Sequence, residues 1–444
     1  MPRTSSLRQP ESAEKVPHRA RGAGLRGRGA AWGAVCGALL GWGCGGPKQD
    51  APASATASVE ASASAPPVAP AAPAYSDEPR SGPAPEFVLA GKAESGCEAT
   101  RFELAQNLLR GELALAGRPG TGGGEIAASW LIQLQNKAQI GFAGFDGQAR
   151  RIARDRGIGN ARENPPRLFA TGDVWTVVWF EARGLAFAQP RWEAQPPPEV
   201  SHFSPLADVP PEQVALALTP NGSIVVASSF GTGGSQLSLF LFESGSLQRA
   251  QALGVTKTAK KPRQPAVSAD AAGYTVAWLE EGGVIQATRF NLEGKEVGDS
   301  SPAVGKPGAR SELALAAHAE GNFLTWLEDG EVRMRDLDKD TRPTGEIVRV
   351  GKGKFPSTLS GPEGALLAYV GEADGAPDQL LALRLTKSGP SASVVRVSES
   401  GPVLDRPALA FAGNKVAFAW TEQMNPAMAA KRAWLRTVAA SCIK

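Results

Sequence analysis

The segment "GYTVAWLEEGGVIQATRF" at residues 273–290 returns in altered form as "GNFLTWLEDGEVRMRDL" at 321–337. Each copy is two alternating apolar runs joined by an acidic, Gly-containing turn. Alternation with period two sends successive side chains to opposite faces of a strand, so each copy reads as a β-hairpin. A fixed repeat constrains a chain more than any single motif, because a unit that cannot bury its own apolar face must stack on its copies. Seven segments carry the pattern. Their second runs end at Trp130, Trp179, Ser228, Trp278, Trp326, Tyr369 and Trp420, at spacings of 43 to 51 residues.

That period, with three to four short strands per copy, predicts an all-β fold: a seven-bladed β-propeller with about 48 residues per blade. Solenoids of helix pairs are excluded by the alternation and by the scarcity of helical stripes. Most copies continue into a further strand-like piece such as "GEIVRVG" or "SASVVRVS", but the last stops at "AWLRTVAASCIK". An unassigned strand-like "CEATRFELAQ" opens the repeat region, and it is expected to complete the last blade and fasten the circle. Such closure brings Cys97 beside Cys442. The pair is expected to form a disulfide, with two unrelated free thiols as the alternative; Cys36 and Cys44 fall in or at the end of the leader.

Three regions follow from composition. Residues 1–43 join a basic stretch, "HRARGAGLRGRG", to an uncharged apolar run, "AAWGAVCGALLGWG", which is the layout of a signal peptide. The run is shorter than the roughly 20 residues a membrane-spanning helix needs. Its end, "LLGWGCGG", resembles the lipobox of bacterial lipoproteins, with Gly41, Trp42 and Gly43 ahead of Cys44 where that family usually places an aliphatic and two small residues. The resemblance implies lipidation at Cys44; simple secretion and a retained signal anchor are the alternatives. Residues 44–88 are dominated by Ala, Pro and Ser and predict a disordered tether. The propeller is expected over 89–444. The leader carries seven Lys and Arg against two Asp and Glu, so the chain's net charge of +3 becomes about −2 beyond it. Nucleic acid therefore loses its support as a partner.

Few residues suggest chemistry. Trp179, Trp278, Trp326 and Trp420 are each followed two residues later by a Glu: Glu181, Glu280, Glu328 and Glu422. Residues i and i+2 share a strand face, so these carboxylates could crowd one end of a ring and bind a cation. The simpler expectation is scaffolding, with cross-strand partners such as Arg289 or Arg333. His202 and His318 lack metal-ligand spacing, "TGGG" at 121–124 lacks the Lys-Ser/Thr of a phosphate loop, and "SADAAGYTVAW" at 268–278 resembles the sialidase Asp-box only faintly. No catalytic residue, metal or cofactor is expected. The run "ARRIARDRGIGNAR" at 149–162 could bind an anion or be a solvated strand. The insertion at 189–213, with Trp192 and Phe203, is a possible binding loop, or a polyproline-rich connector.

The period and strand pattern over residues 97–442 resemble exported seven-bladed propellers of the broad WD-repeat and TolB-like kind. The resemblance implies a monomeric, exported lipoprotein of the bacterial envelope, held to the membrane through its lipid alone, that presents a propeller to a protein or glycan partner. The alternative is a secreted carbohydrate-active enzyme with carboxylates at the propeller mouth.

Overall fold

The computed structural model describes residues 75–444 apart from 84, 90–98, 109–110, 112, 121–123, 135–136, 162–165, 182–183, 193–197, 205–212, 230–236, 243–249, 254–260, 362–363, 400–401 and 424–430. The expected signal peptide, Cys44 and Cys97 lie outside these residues.

The architecture is all-β and multi-sheet, of the propeller type. Seven units follow one another along the chain, each a meander of antiparallel strands. The first holds Leu113–Arg118, Glu125–Leu134, Lys137–Asp146 and Arg151–Asn160. The second holds Arg167–Thr171, Val174–Glu181, Gly184–Ala188 and Val200–Phe203. Val214–Leu218, Ile224–Ser229, Leu237–Phe242 and Ala250–Leu253 make the third. Arg263–Asp270, Gly273–Leu279, Ile285–Asn291 and Glu296–Val304 make the fourth. The fifth and sixth share one 14-residue strand, Val348–Gly361, which leaves the fifth as its outer edge and enters the sixth as its first strand. Before it come Arg310–His318, Gly321–Glu328 and Glu331–Asp338; after it come Gly364–Ala373, Ala376–Thr386 and Ser393–Arg396. In the seventh, Ala408–Ala412, Lys415–Gln423 and Lys431–Ala439 are joined by Thr100–Leu108 from the other end of the repeat region. Thr100 faces Thr437 and Phe102 faces Leu435, antiparallel.

The core is divided between the units. Seven apolar clusters each bridge two sheets: first to second, second to third, and so on to sixth and seventh. The remaining cluster joins Leu113, Leu115 and Ile126 of the first unit to Ala417, Ala419 and Leu435 of the seventh. All seven anchors, Trp130 to Trp420, sit in second strands and are at most 3 % exposed. A strand buried on both faces packs neighbours on each side, which is why these strands read as almost unbroken apolar runs.

The ordered chain starts earlier than the composition suggests. Arg80–Ser81 pairs in parallel with Val348–Arg349, and Glu86–Leu89 pairs in parallel with Ser393–Arg396. This strap is pinned by Asp77, which accepts hydrogen bonds from the backbone N–H groups of Gly305 and Lys306 at 2.9 Å and from the buried Arg335 guanidinium. Arg335 also donates to the carbonyls of Gly345 at 3.0 Å and Ala303 at 2.9 Å. Burial opposes ionisation of Asp77, but the Arg335 hydrogen bond, the backbone donors and the guanidinium charge outweigh it and hold the carboxyl below its ordinary 3.8.

Candidate functional site

A cavity of about 740 Å³ draws its lining from the first strands of all seven units. Strand register sets its geometry. In each unit one first-strand residue faces the residue just before the anchor of the second strand. These are Ala114, Arg167, Ala215, Ala266, Ala314, Ser357 and Ala408. All seven line the cavity. Six are Ala or Ser, because inner strands that converge on a common space leave little room for side chains. Arg167, half-buried, stands in the second unit where the other six have a methyl or hydroxymethyl group.

Two residues upstream lies a polar rim. In the fourth, fifth and sixth units the chain makes a β-bulge there, and Gln264, Glu312 and Phe355 take positive φ values of 48°, 57° and 59°. Non-glycine residues enter this region at a cost, so the neighbourhood must hold them. It does so by hydrogen bonds from one unit to the next. Glu312 N donates to Gln264 Oε1 at 3.2 Å, and Phe355 N donates to Glu312 Oε2 at 2.8 Å. Arg406 of the seventh unit then donates to Pro356 O at 2.6 Å and Glu312 Oε2 at 3.4 Å. Beside it, Asp405 accepts from Lys431 Nζ at 2.8 Å and from Thr421 Oγ1. A Cβ on Gly111 would come within 2.0 Å of Asp405 Oδ2, so the absent side chain of Gly111 lets the first unit close on this carboxylate.

The repeated Trp-x-Glu pairs are parts of the seams. Trp179, Trp326 and Trp420 each donate the indole N–H to their own Glu, at 3.0 Å to Glu181, 3.0 Å to Glu328 and 2.9 Å to Glu422. Glu328 also receives Arg310 at 3.0 Å and Arg333 at 2.7 Å, and Glu422 receives Arg101 at 3.1 Å. Glu280 takes Gln286 at 3.3 Å instead. Spacing along the strand lets three of the four carboxylates reach the neighbouring indole, and these satisfy a buried donor. None of the four lines the cavity.

Trp192 of the 189–213 insertion is half-buried, stacked on Phe142 at 5.1 Å and tilted against Trp175 at 5.2 Å. The lack of a side chain at Gly144 makes room for it, since a Cβ there would lie 2.7 Å from the Trp192 ring. Phe203 meets Phe240 and Phe242 edge-on at 5.1 and 5.0 Å. Both aromatics serve contacts between sheets. From the basic run, Arg150 pairs with Asp146 at 2.7 Å and Arg151 donates to Leu104 O at 3.0 Å. His202 Nδ1 lies 3.6 Å from Glu181, and His318 Nε2 lies 2.8 Å from Asp336. Among the described residues no group of three or more His, Cys, Asp or Glu could hold a metal ion. Cys442 ends the short turn Ala440–Cys442, against the cluster between the sixth and seventh units.

Arg167 and the rim escape a reading of motifs because neither is a motif. Each is a position in the repeat, visible once the first strands are aligned on their partners.

No family model matches the chain, and no curated protein matches it significantly. Solved structures resemble it distantly. The fucose-specific lectin from Aleuria aurantia, a six-bladed β-propeller, is 12 % identical with a TM-score of 0.42, over 66 % of this chain and 98 % of the lectin. An oligogalacturonate lyase in complex with manganese is 11 % identical with a TM-score of 0.43, over 79 % of this chain and 100 % of the lyase. The BP39L lectin from Burkholderia pseudomallei is 13 % identical with a TM-score of 0.48, over 75 % of this chain and 97 % of the lectin. The chain thus has a distant structural resemblance to propeller-like lectins and enzymes.

Proposed function

We propose that this chain is an exported binding protein of the bacterial envelope, that its seven units form one closed propeller, and that the central cavity receives a segment of a glycan. The observation that carries the reading is the cavity itself, to which every first strand contributes and at whose rim polar groups of four units meet. Its volume suits a small ligand or a few sugar units rather than a folded protein. Closure of the ring is supported by the pairing of Thr100–Leu108 with Lys431–Ala439 and by the cluster joining the first and seventh units.

The same pairing supports the disulfide. It brings Thr100–Leu108, the strand that follows Cys97 in sequence, beside Lys431–Ala439, the strand that ends just before Cys442. Lipidation at Cys44 is the anchor in this reading, and the tether stands the propeller off the membrane.

A second reading, a carbohydrate-active enzyme, draws on Glu312 and Asp405, the two carboxylates of the described lining. Both are engaged by cations, Arg406 and Lys431, so binding is the stronger reading. The test is a glycan array probed with the full chain and with Ala215→Trp and Ala314→Trp, each of which fills the cavity from a different unit. Glycan capture lost in both variants at native-like thermal unfolding supports the reading, and capture retained in both refutes the cavity as the site. Cleavage of captured glycans that Glu312→Gln or Asp405→Asn abolishes would install the enzyme instead.

A further inference from the structure

Six of the seven second strands carry an aromatic anchor, and each anchor packs into the cluster shared with the unit before it, the seventh standing before the first. The third unit has Ser228 there. Ile224 and Val226 of the same strand face the second unit, and alternation along the strand sends Ser228 the same way. Ser228 is fully buried, and among the described residues its hydroxyl has no hydrogen-bond partner. A buried hydroxyl left unpaired destabilises a fold, so this seam forgoes both an aromatic ring and a hydrogen bond at one place.

The cavity reaches toward that place. Among the second strands only Leu131 and Phe180 belong to its described lining. Phe180 is part of the seam between the second and third units, as are Phe169, Val214 and Leu216, and all four line the cavity. Val214 is the cross-strand partner of Ser228. Directly opposed side chains lie about 5 Å apart, so a small group seated against Val214 is a neighbour of the hydroxyl. The rim groups Gln264, Glu312, Asp405 and Arg406 stand on the fourth, fifth and seventh units. They offer polar contacts to the hydroxyls of a sugar, while the recess of Phe169, Phe180, Val214 and Leu216 beside Ser228 suits a small apolar group that carries one acceptor.

We propose that this recess receives an acetamido group, so that the glycan unit entering the cavity is an N-acetylated sugar. This rests on the glycan-binding reading above and narrows it. The methyl group would lie against the apolar side chains, and the carbonyl oxygen would accept the Ser228 hydroxyl. An amide oxygen is a stronger acceptor than an ester or hydroxyl oxygen, which favours the N-acetyl over the O-acetyl sugar.

The probe is N-acetylglucosamine, with glucose as the control that lacks the acetamido group, titrated calorimetrically into the full chain and into Ser228→Ala and Ser228→Thr. One neutral hydrogen bond and one buried methyl together correspond to about a tenfold to fortyfold preference for N-acetylglucosamine. Ser228→Ala is expected to cut that preference by about threefold to tenfold and to leave the thermal midpoint unchanged or raised, because it removes an unpaired hydroxyl. Ser228→Thr keeps the hydroxyl and is expected to retain the preference. Should both monosaccharides bind too weakly to titrate, capture of N-acetylated glycans on the array that Ser228→Ala weakens supports the inference.

Equal binding of the two sugars, or a preference that survives undiminished in Ser228→Ala, overturns the inference and leaves glycan binding standing. So does an array that returns only glycans without acetamido groups. A blank array together with two blank titrations overturns the inference and the reading beneath it. A large fall in thermal midpoint in Ser228→Ala would assign the hydroxyl to the fold and overturn the inference as well.

Discussion

Replacing Glu328 with Ala should destabilise the protein more than any other change in the Trp-x-Glu series. The carboxylate is only 6 % exposed and its Oε2 accepts three donors: Arg310 at 3.0 Å, Arg333 at 2.7 Å and the Trp326 indole at 3.0 Å. Both arginines are themselves buried, at 6 % and 8 % exposure. Removing the anion leaves Arg310 without its counter-charge in a poorly hydrated seam, while Arg333 keeps Glu331 at 3.3 Å and Asp329 at 3.6 Å. Breaking a buried ion pair from one side costs about 3–5 kcal/mol. Arg310 keeps the Gly283 carbonyl at 2.8 Å, which places the expected loss toward the lower end of that range. Glu280→Ala is the internal control. It occupies the equivalent position, is half-buried and accepts from Gln286 at 3.3 Å, so its loss should cost about 1 kcal/mol or less. Urea denaturation of both variants, followed by tryptophan fluorescence, measures the difference. A Glu328→Ala cost below about 1 kcal/mol, or an equal cost at the two sites, would refute the view that the motif is a seam device.

Asp77→Asn should loosen the strap, costing about 2 kcal/mol from the charge-assisted bonds to Arg335 and the backbone. Because the folded carboxyl lies below 3.8, its contribution is full above that value and is lost as pH falls through the lower folded value. The wild type should therefore lose its advantage over Asp77→Asn on acidification, measured as converging thermal midpoints. Cys442→Ser should lower stability by up to about 4–5 kcal/mol if the bridge closes a loop of the proposed length. Peptide mapping without reductant checks the pairing, and recovery of alkylated Cys97 from the wild type would contradict it. Trp192→Ala should cost about 3 kcal/mol through lost packing on Phe142 and Trp175. Its glycan affinity should be unchanged, and a selective affinity loss would make the insertion a binding loop after all.

The scaffold was legible in the sequence because scaffolding repeats. Period-two alternation and the spacing of Trp130 to Trp420 gave every second strand, and the missing outer strand after Lys431–Ala439 pointed to Thr100–Leu108 as its completion. The scaffold reading of Glu328 and Glu422 needed only strand geometry. The strap was hidden because an Ala, Pro and Ser composition reports the lack of a core, whereas Arg80–Ser81 and Glu86–Leu89 are held by backbone pairing and by one carboxylate. The packing of Trp192 was hidden for a related reason. The prolines around it signal an irregular connection, and nothing in them says that the Trp folds back against Gly144. Arg167 demanded registers, since an arginine after Pro166 looks ordinary until six other strands show what usually stands there.

The strap also decides the order in which the chain would yield to force. A pull transmitted from the N-terminal side meets Asp77 and its Arg335 clasp first, then the parallel pairs at Arg80–Ser81 and Glu86–Leu89, and only afterwards Thr100–Leu108. Three contacts, the clasp and the two parallel pairs, thus precede in sequence the strand that completes the seventh unit. Peeling the strap would release several residues of chain while leaving the seventh sheet whole, which pulling single molecules from the N-terminal side would record as an extension step before that sheet opens.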